Sequence, residues 1–357
     1  MKSYQIFARI CFLFYVVICM PSCQSQSQPK KQENPQNNGR PTPKDGQIGD
    51  YVVALFQDSE ANLWFGTLEK GVAKFDGDRL QYFTTKDGLP SNRITSIVED
   101  QLGNLWLGTG AGVSKYDHSR FTNYSEEDGL CNNMVSQLFI DSNATLWIGT
   151  WGGLCTFDTK RFEAIKLSYP KIDTRINPDT KDWITTITED TNGNIWVGRD
   201  GYGASKINAN TIVHYTTKEG LNSNNVQSIV TDKAGNIWFG TRVAEKDNPD
   251  SNNRLGKGGI NKYDGSTFVD FPEIKGLHNN DVYGSYKDRE NHLWFSTIDH
   301  GVYTYTNNEF VQHKIPAPTM AFLEDQKGTM WLGCAGGLYK IGKDKKVINV
   351  TTNGPWQ

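Results

Sequence analysis

Seven tryptophans set the frame of this chain. Trp64, Trp106, Trp147, Trp196, Trp238, Trp294 and Trp331 follow one another at spacings of 42, 41, 49, 42, 56 and 37 residues. Six residues before each stands an aspartate: Asp58, Asp100, Asp141, Asp190, Asp232, Asp288 and Asp325. A strand-rich unit that returns at this period cannot bury its apolar faces alone and must stack on copies of itself, which is the signature of a β-propeller blade. The sequence therefore predicts an all-β fold, a seven-bladed β-propeller of four-stranded antiparallel blades.

The units agree in detail. Asp opens a type I turn by bonding its own backbone, and the residue three positions on must accept a positive φ. That position is Gly103, Gly193, Gly235 or Gly328 in four copies and Asn291 in a fifth, but Ala61 and Ala144 in the others, where the turn is expected to differ. Two residues after the Trp comes Gly in six copies and Ser296 in the remaining one. In a strand, i and i+2 share a face, so a small residue beside the ring leaves room for the neighbouring blade. In the second copy the strands are expected at 94–100, 105–109, 112–117 and 121–124, called A to D from here on. No strand is left over to build a mixed closing blade, so closure is expected from packing of the last unit on the first.

Composition agrees with this. Aromatics are 12% of 357 residues and there are 35 glycines, as suits short strands and tight turns. A net charge of -3 with no basic block argues against a nucleic-acid partner. A hydrophobic content of 37% excludes a membrane-embedded bundle.

The N-terminus reads as a separate object. Lys2 and Arg9 precede an apolar run over 10–20, the right length for a signal-peptide core. A small residue before Cys23 resembles a lipoprotein cleavage site, which makes 1–22 a lipoprotein signal peptide and Cys23 the lipidation site. An ordinary secretory signal or an uncleaved anchor is the alternative. Residues 23–46 contain no large apolar residue and should form a flexible tether; the propeller then occupies 47–357. The expected location is exported and lipid-anchored to a bacterial membrane, periplasmic or on the cell surface, with the leaflet open. Three further cysteines, Cys131, Cys155 and Cys334, have no disulfide-framework or metal spacing and are expected as buried or idle thiols.

The phrases DGLPSNRITSIVEDQLGNLWLGTGAGVSKYD (87–117) and EGLNSNNVQSIVTDKAGNIWFGT (219–241) resemble the two-component-regulator propeller repeat. The resemblance covers about residues 47–357. That repeat builds the periplasmic ligand-sensing region of bacterial hybrid two-component sensors, many of which respond to polysaccharide breakdown products. The resemblance implies the propeller fold and a ligand-binding role. Those sensors continue into a membrane helix and kinase parts, which do not follow here, so a stand-alone lipoprotein without kinase activity is expected.

The differences between copies locate candidate function. Long insertions fall at 167–183, a D-to-A connection, and at 242–259, a B-to-C connection; in a propeller both lie on one face, where binding is usually built. The positions that open strand A form a varied ring: Tyr51, Arg93, Met134, Trp183, Asn225, Asp281 and Pro318. The Asp or Asn before them in six copies reads as a turn device. The B-to-C tips add Glu69, Trp151, Arg199, Asp200, Tyr202, Arg242, Asp299 and His300. Arg199 stands where five copies have Thr and would pair with a carboxylate or a pair of sugar hydroxyls. The candidate ligand-binding set is Arg93, Trp151, Trp183, Arg199, Asp200, Tyr202, Arg242, Asp281, Asp299 and His300. A blade 6 group of His278, Asp281, Asp299 and His300 has an acid–base composition without a metal motif.

Three functions compete. The first is a non-catalytic binding lipoprotein for a glycan, a peptide or an envelope protein, touching the membrane through its lipid alone. The second is an enzyme like the seven-bladed streptogramin lyases, whose repeats are also similar and which keep a His and acids on the top face. The third is a structural or assembly scaffold. No nucleophile elbow, zincin helix or phosphate loop is visible, and neither a catalytic residue, a cofactor nor a metal is expected.

Overall fold

The computed structural model describes residues 48–172, 178–209, 211–243, 257–342, 346–351 and 354. The expected leader, the tether and Cys23 lie outside the described residues, as do 173–177 and 244–256 of the two insertions.

Among the described residues the strands form seven four-stranded antiparallel sheets in a ring. Each sheet takes its strands in chain order, with the first innermost. The blades begin at Val52–Gln57, Ile94–Glu99, Val135–Ile140, Ile184–Glu189, Val226–Thr231, Val282–Lys287 and Thr319–Glu324. Blade 2 continues with Leu105–Thr109, Gly112–Tyr116 and Phe121–Tyr124, so each expected strand is present and Asp100 and Asp117 pass into the turns.

The aspartates explain the turns. Asp58 Oδ1 accepts the backbone N–H of Glu60 at 3.1 Å and of Asn62 at 2.7 Å, while Oδ2 accepts the Trp64 indole N–H at 2.7 Å. The indole-to-aspartate bond recurs in all seven blades, at 2.7–2.9 Å. One carboxylate therefore closes the A-to-B turn and orients the ring of strand B. Ala61 and Ala144 were expected to break the pattern and do not: both take the left-handed conformation, at φ 68° and 63°. The bonds converging on the aspartate outweigh the cost of about 1 kcal/mol or more of placing a Cβ there.

Strand B is buried along its whole length in six blades. Burying one such indole contributes roughly 4–6 kcal/mol gross, an upper bound. The core lies between blades, not within them. One cluster joins Trp64, Val72 and Phe83 of blade 1 to Ile94, Ile97 and Leu107 of blade 2. The glycine beyond the ring makes this possible: a Cβ on Gly66 would lie 2.9 Å from Ile94 Cγ2, and one on Gly198 would lie 2.9 Å from Val226 Cγ1.

Closure follows the same rules. A Cβ on Gly333 of blade 7 would meet the Val52 carbonyl of blade 1 at 2.7 Å. Trp331 and Leu338 share a cluster with Ile48, Val52 and Phe65. The segment before the first strand adds a bridge between Tyr51 and Ala335, and Gly336 N–H donates to the Asp50 carbonyl at 2.6 Å. On the A-to-B face, Ser59 binds Glu99 of the next blade and Ser142 binds Glu189; Gln326 N–H donates to Gln57 Oε1 at 2.7 Å across the closing seam.

A second expectation is corrected. Cys131 and Cys155 are not idle thiols but form a disulfide, with Cα atoms 6.0 Å apart. The bond ties the connection entering blade 3 to that blade's strand Gly153–Phe157. Cys334 is a buried free thiol, and burial pushes it up to about 12, so it is unreactive at neutral pH.

Replacing Asp58 by Ala leaves the indole N–H and two backbone donors without their buried acceptor. We expect a loss of about 2–4 kcal/mol of stability in chemical denaturation; a loss under about 0.5 kcal/mol would show that water replaces the carboxylate without cost.

Candidate functional site

The D-to-A/B-to-C face is built on a repeated frame. In six blades the residue that opens strand A offers its carbonyl to the N–H of a B-to-C tip residue. Trp151 N–H donates to Met134 at 3.0 Å, Asp200 N–H to Trp183 at 3.2 Å, and Arg242 N–H to Asn225 at 2.8 Å; Gly110 N–H donates likewise to Arg93 at 3.1 Å. The backbone is thus fixed while the side chains are free to vary. Asn92, Asn133 and Asn224, before the ring, accept the N–H of Thr85, Glu126 and Thr217 seven residues earlier and so brace the whole connection, while the local turn is closed by Ser91, Asn132 and Ser223.

Blades 3 to 6 bring several of the candidate residues into one belt. Trp151 of blade 3 stacks on Trp183 of blade 4, with centroids 4.9 Å apart and planes at 29°. Asp200, buried, accepts from Thr180 Oγ1 at 2.7 Å and from Arg242 Nη2 at 3.0 Å, which ties blade 4 to blade 5. Asp281, also buried, accepts the Val243 N–H at 2.8 Å. Both long insertions are therefore held at their stems: Thr180 belongs to the first and Arg242 and Val243 to the second.

Beneath the belt lies Arg199, at the end of strand Ile195–Arg199. It is 2% exposed. Its guanidinium sits 4.8 Å from the Tyr202 centroid and 5.3 Å from that of Tyr169, and Nη1 donates to the Ser168 carbonyl at 2.8 Å. Burial lowers its pKa, partly offset by Tyr169, Tyr202 and Asp182. Tyr169 in turn donates to Asp182, and that bond, above all, raises the phenol. His214 holds the same strap: Nε2 lies 2.8 Å from Ser168 Oγ and Nδ1 2.8 Å from Ser205 Oγ. Burial, and then the Arg199 charge, depress its pKa, so the imidazole is neutral near pH 7 and bridges two hydroxyls.

A cleft of about 390 Å³ opens between blades 3 and 4. Leu154, Ile165 and Leu167 give it an apolar wall; Lys166, Asp182 and Arg199 supply charge. Cys131 of the disulfide also lines it. Gly152, Asp182 and Ile184, the chain neighbours of the stacked tryptophans, are part of its lining. The volume falls within the range of small-molecule sites.

The remaining candidates do not join this group. Arg93 sits on blade 2; burial lowers its pKa and Glu69 opposes that. The blade 6 residues do not converge. His278 Nδ1 is 3.8 Å from Asp270, Asn280 Nδ2 is 2.8 Å from His300 Nδ1, and Asp281 is engaged by Val243, while Asp299 and His300 are exposed. Among the described residues no cluster of three or more His, Cys, Asp or Glu is placed to hold a metal. Sequence reading missed Tyr169, His214 and the disulfide. The first stood in view as the single aromatic of 168–182 in an unusual insertion.

Comparison with known proteins places the repeats. Residues 88–111, 220–242 and 276–299 match the family described as Two component regulator propeller. No curated protein matches by sequence. Among solved structures, the extracellular domain of the putative hybrid two component system BT3049 from B. thetaiotaomicron is similar at TM-score 0.64 and 23% identity, over 84% of this chain and 41% of that one. PorZ, a surface component of the type-IX secretion system of Porphyromonas gingivalis, is similar at 0.60 and 17%, over 84% and 47%. A catalytically inactive virginiamycin B lyase from Staphylococcus aureus with quinupristin gives 0.60 and 12%, over 84% and 96%. This chain thus spans under half the length of the first two. Likeness at these identities establishes the shared fold.

Removing the disulfide by Cys155→Ser frees a loop closed over 24 residues and should lower stability by roughly 3 kcal/mol. Chemical denaturation with and without reductant measures it; a midpoint indifferent to reductant contradicts the pairing.

Proposed function

The chain carries the two-component-regulator propeller repeat, and from that premise we propose that it is a non-catalytic, sensor-type binding protein of the bacterial cell envelope. It takes a glycan on its D-to-A/B-to-C face, at the cleft between blades 3 and 4. The observation that carries this reading is the stacked Trp151–Trp183 pair, whose chain neighbours line a cleft that also includes a buried guanidinium. Broad indole faces suit the C–H faces of sugar rings, and charged and hydroxyl groups set at the rim fix orientation.

Two further observations support the reading. In blade 6, His278 lies by Asp270, His300 by Asn280, and Asp281 accepts the Val243 N–H, contacts that favour binding over acid–base catalysis. The Cys131–Cys155 disulfide suits an oxidising compartment outside the cytosol. No helix among the described residues is long and apolar enough to cross a membrane. Anchoring through a lipid on Cys23 completes the proposal.

A screen of oligosaccharides and peptides against the whole chain tests it. A saccharide should bind, and Trp183→Ala should weaken it at least tenfold with the melting temperature unchanged. Binding confined to peptides, turnover of a screened compound, or a saccharide indifferent to Trp183→Ala would overturn it.

A further inference from the structure

The position of Arg199 has a defined job elsewhere in the ring. Thr67, Thr109, Thr150, Thr241 and Thr297 occupy it in five blades, and each donates its hydroxyl to a carbonyl at the start of strand C at 2.7–3.2 Å. The residue that closes this hairpin is a small hydroxyl. In blade 4 an arginine replaces it and gives up that bond.

The replacement is costly. Arg199 is 2% exposed, makes one hydrogen bond, to Ser168, and forms no ion pair among the described residues. Its Nε is covered and has no partner. A buried cation that no ion pair holds destabilises the fold unless something compensates it. The two tyrosine faces offset part of that. Asp182 acts on the guanidinium from a distance while it also holds the Tyr169 hydroxyl, and Asp200 is bound by Arg242 and Thr180. His214 is neutral. Arg199 and Lys166 line the cleft against the single carboxylate of Asp182, so the charges lining it sum to about +1.

We propose that the cleft between blades 3 and 4 selects an anionic saccharide, a sugar bearing a carboxylate, whose charge pairs with Arg199 and is assisted by Lys166. The inference rests on the glycan reading above and narrows it to a chemical class. The anion balances the positive charge that Asp182 alone leaves over in the cleft. In a cleft walled by Leu154, Ile165 and Leu167, low polarisability makes that attraction far stronger than at an open surface. The apolar walls and the adjoining indoles bind the ring, and the guanidinium distinguishes an acid sugar from its neutral parent.

The test compares oligogalacturonate, the matching neutral galactose oligomer and its sulfated form against the whole protein by calorimetry. The uronate oligomer is expected to bind at least tenfold tighter than the neutral one. Arg199→Thr restores the residue of five sister blades, so the hairpin should close and the melting temperature hold, while the preference disappears. Lys166→Gln, at an exposed site, should reduce the preference severalfold and serves if the first variant is unstable. Equal binding of uronate and neutral oligomers overturns this inference and leaves the glycan reading standing. A preference that survives in folded Arg199→Thr, or binding of the sulfated form alone, also overturns it. Failure of every saccharide to bind overturns both.

Discussion

The interaction on which the structure depends is the bond from an indole N–H to an aspartate six residues earlier. It is made seven times at nearly the same length. Each carboxylate does two jobs with two oxygens: it gathers the backbone donors of the A-to-B turn and it aims the ring into the layer between blades. Burial pushes the Asp190 carboxyl up, but the donors from Trp196, Asn194 and the backbone outweigh it and hold it below the ordinary carboxylate range. Such a group contributes stability above the unfolded pKa near 4 and loses it as pH falls. In five blades a strand C lysine lies over the indole at 5.3–5.9 Å, which adds a cation to the same corner.

Because the unit repeats, the ring closes with the contacts used everywhere else. Gly333 admits Val52 as Gly66 admits Ile94, and Gln326 reaches Gln57 as Ser59 reaches Glu99. A scaffold with interchangeable joints tolerates variation at loop tips without loss of the frame. Variation is concentrated at blades 3 to 5, where both insertions, the disulfide, the tryptophan stack and the buried arginine all occur.

Much of this was legible in the sequence because it is periodic. The Asp-to-Trp spacing and the small residue two past the ring describe one blade, and seven copies describe the propeller. Three features were not legible. Alanine in the left-handed turn position of blades 1 and 3 follows from the aspartate's several bonds, which a propensity argument weighs too lightly. A bulge at the second residue of every strand A leaves no mark in residue type: Val53, Thr95 and Gln227 hold that place alike. The Cys131–Cys155 bond joins the connection before blade 3 to a residue inside that blade's third strand, a proximity that depends on how the D-to-A connection folds back. For the proposed site, the varied ring and tips include Trp151, Trp183 and Arg199, which the structure places on neighbouring blades. That Arg199 would be enclosed by Tyr169 and Tyr202, and that His278 would lie by Asp270 and His300 by Asn280, depended on loop conformation and not on spacing.

The central claim is that an even scaffold confines ligand recognition to the sector between blades 3 and 4. Hydrogen–deuterium exchange of the whole protein, with and without a saturating acid oligosaccharide, tests it most directly. The account predicts added protection confined to 150–172 and 178–202, with the seven strand-B segments unchanged. Protection appearing instead on the A-to-B turns, on the outer strands or around the entire ring would contradict it.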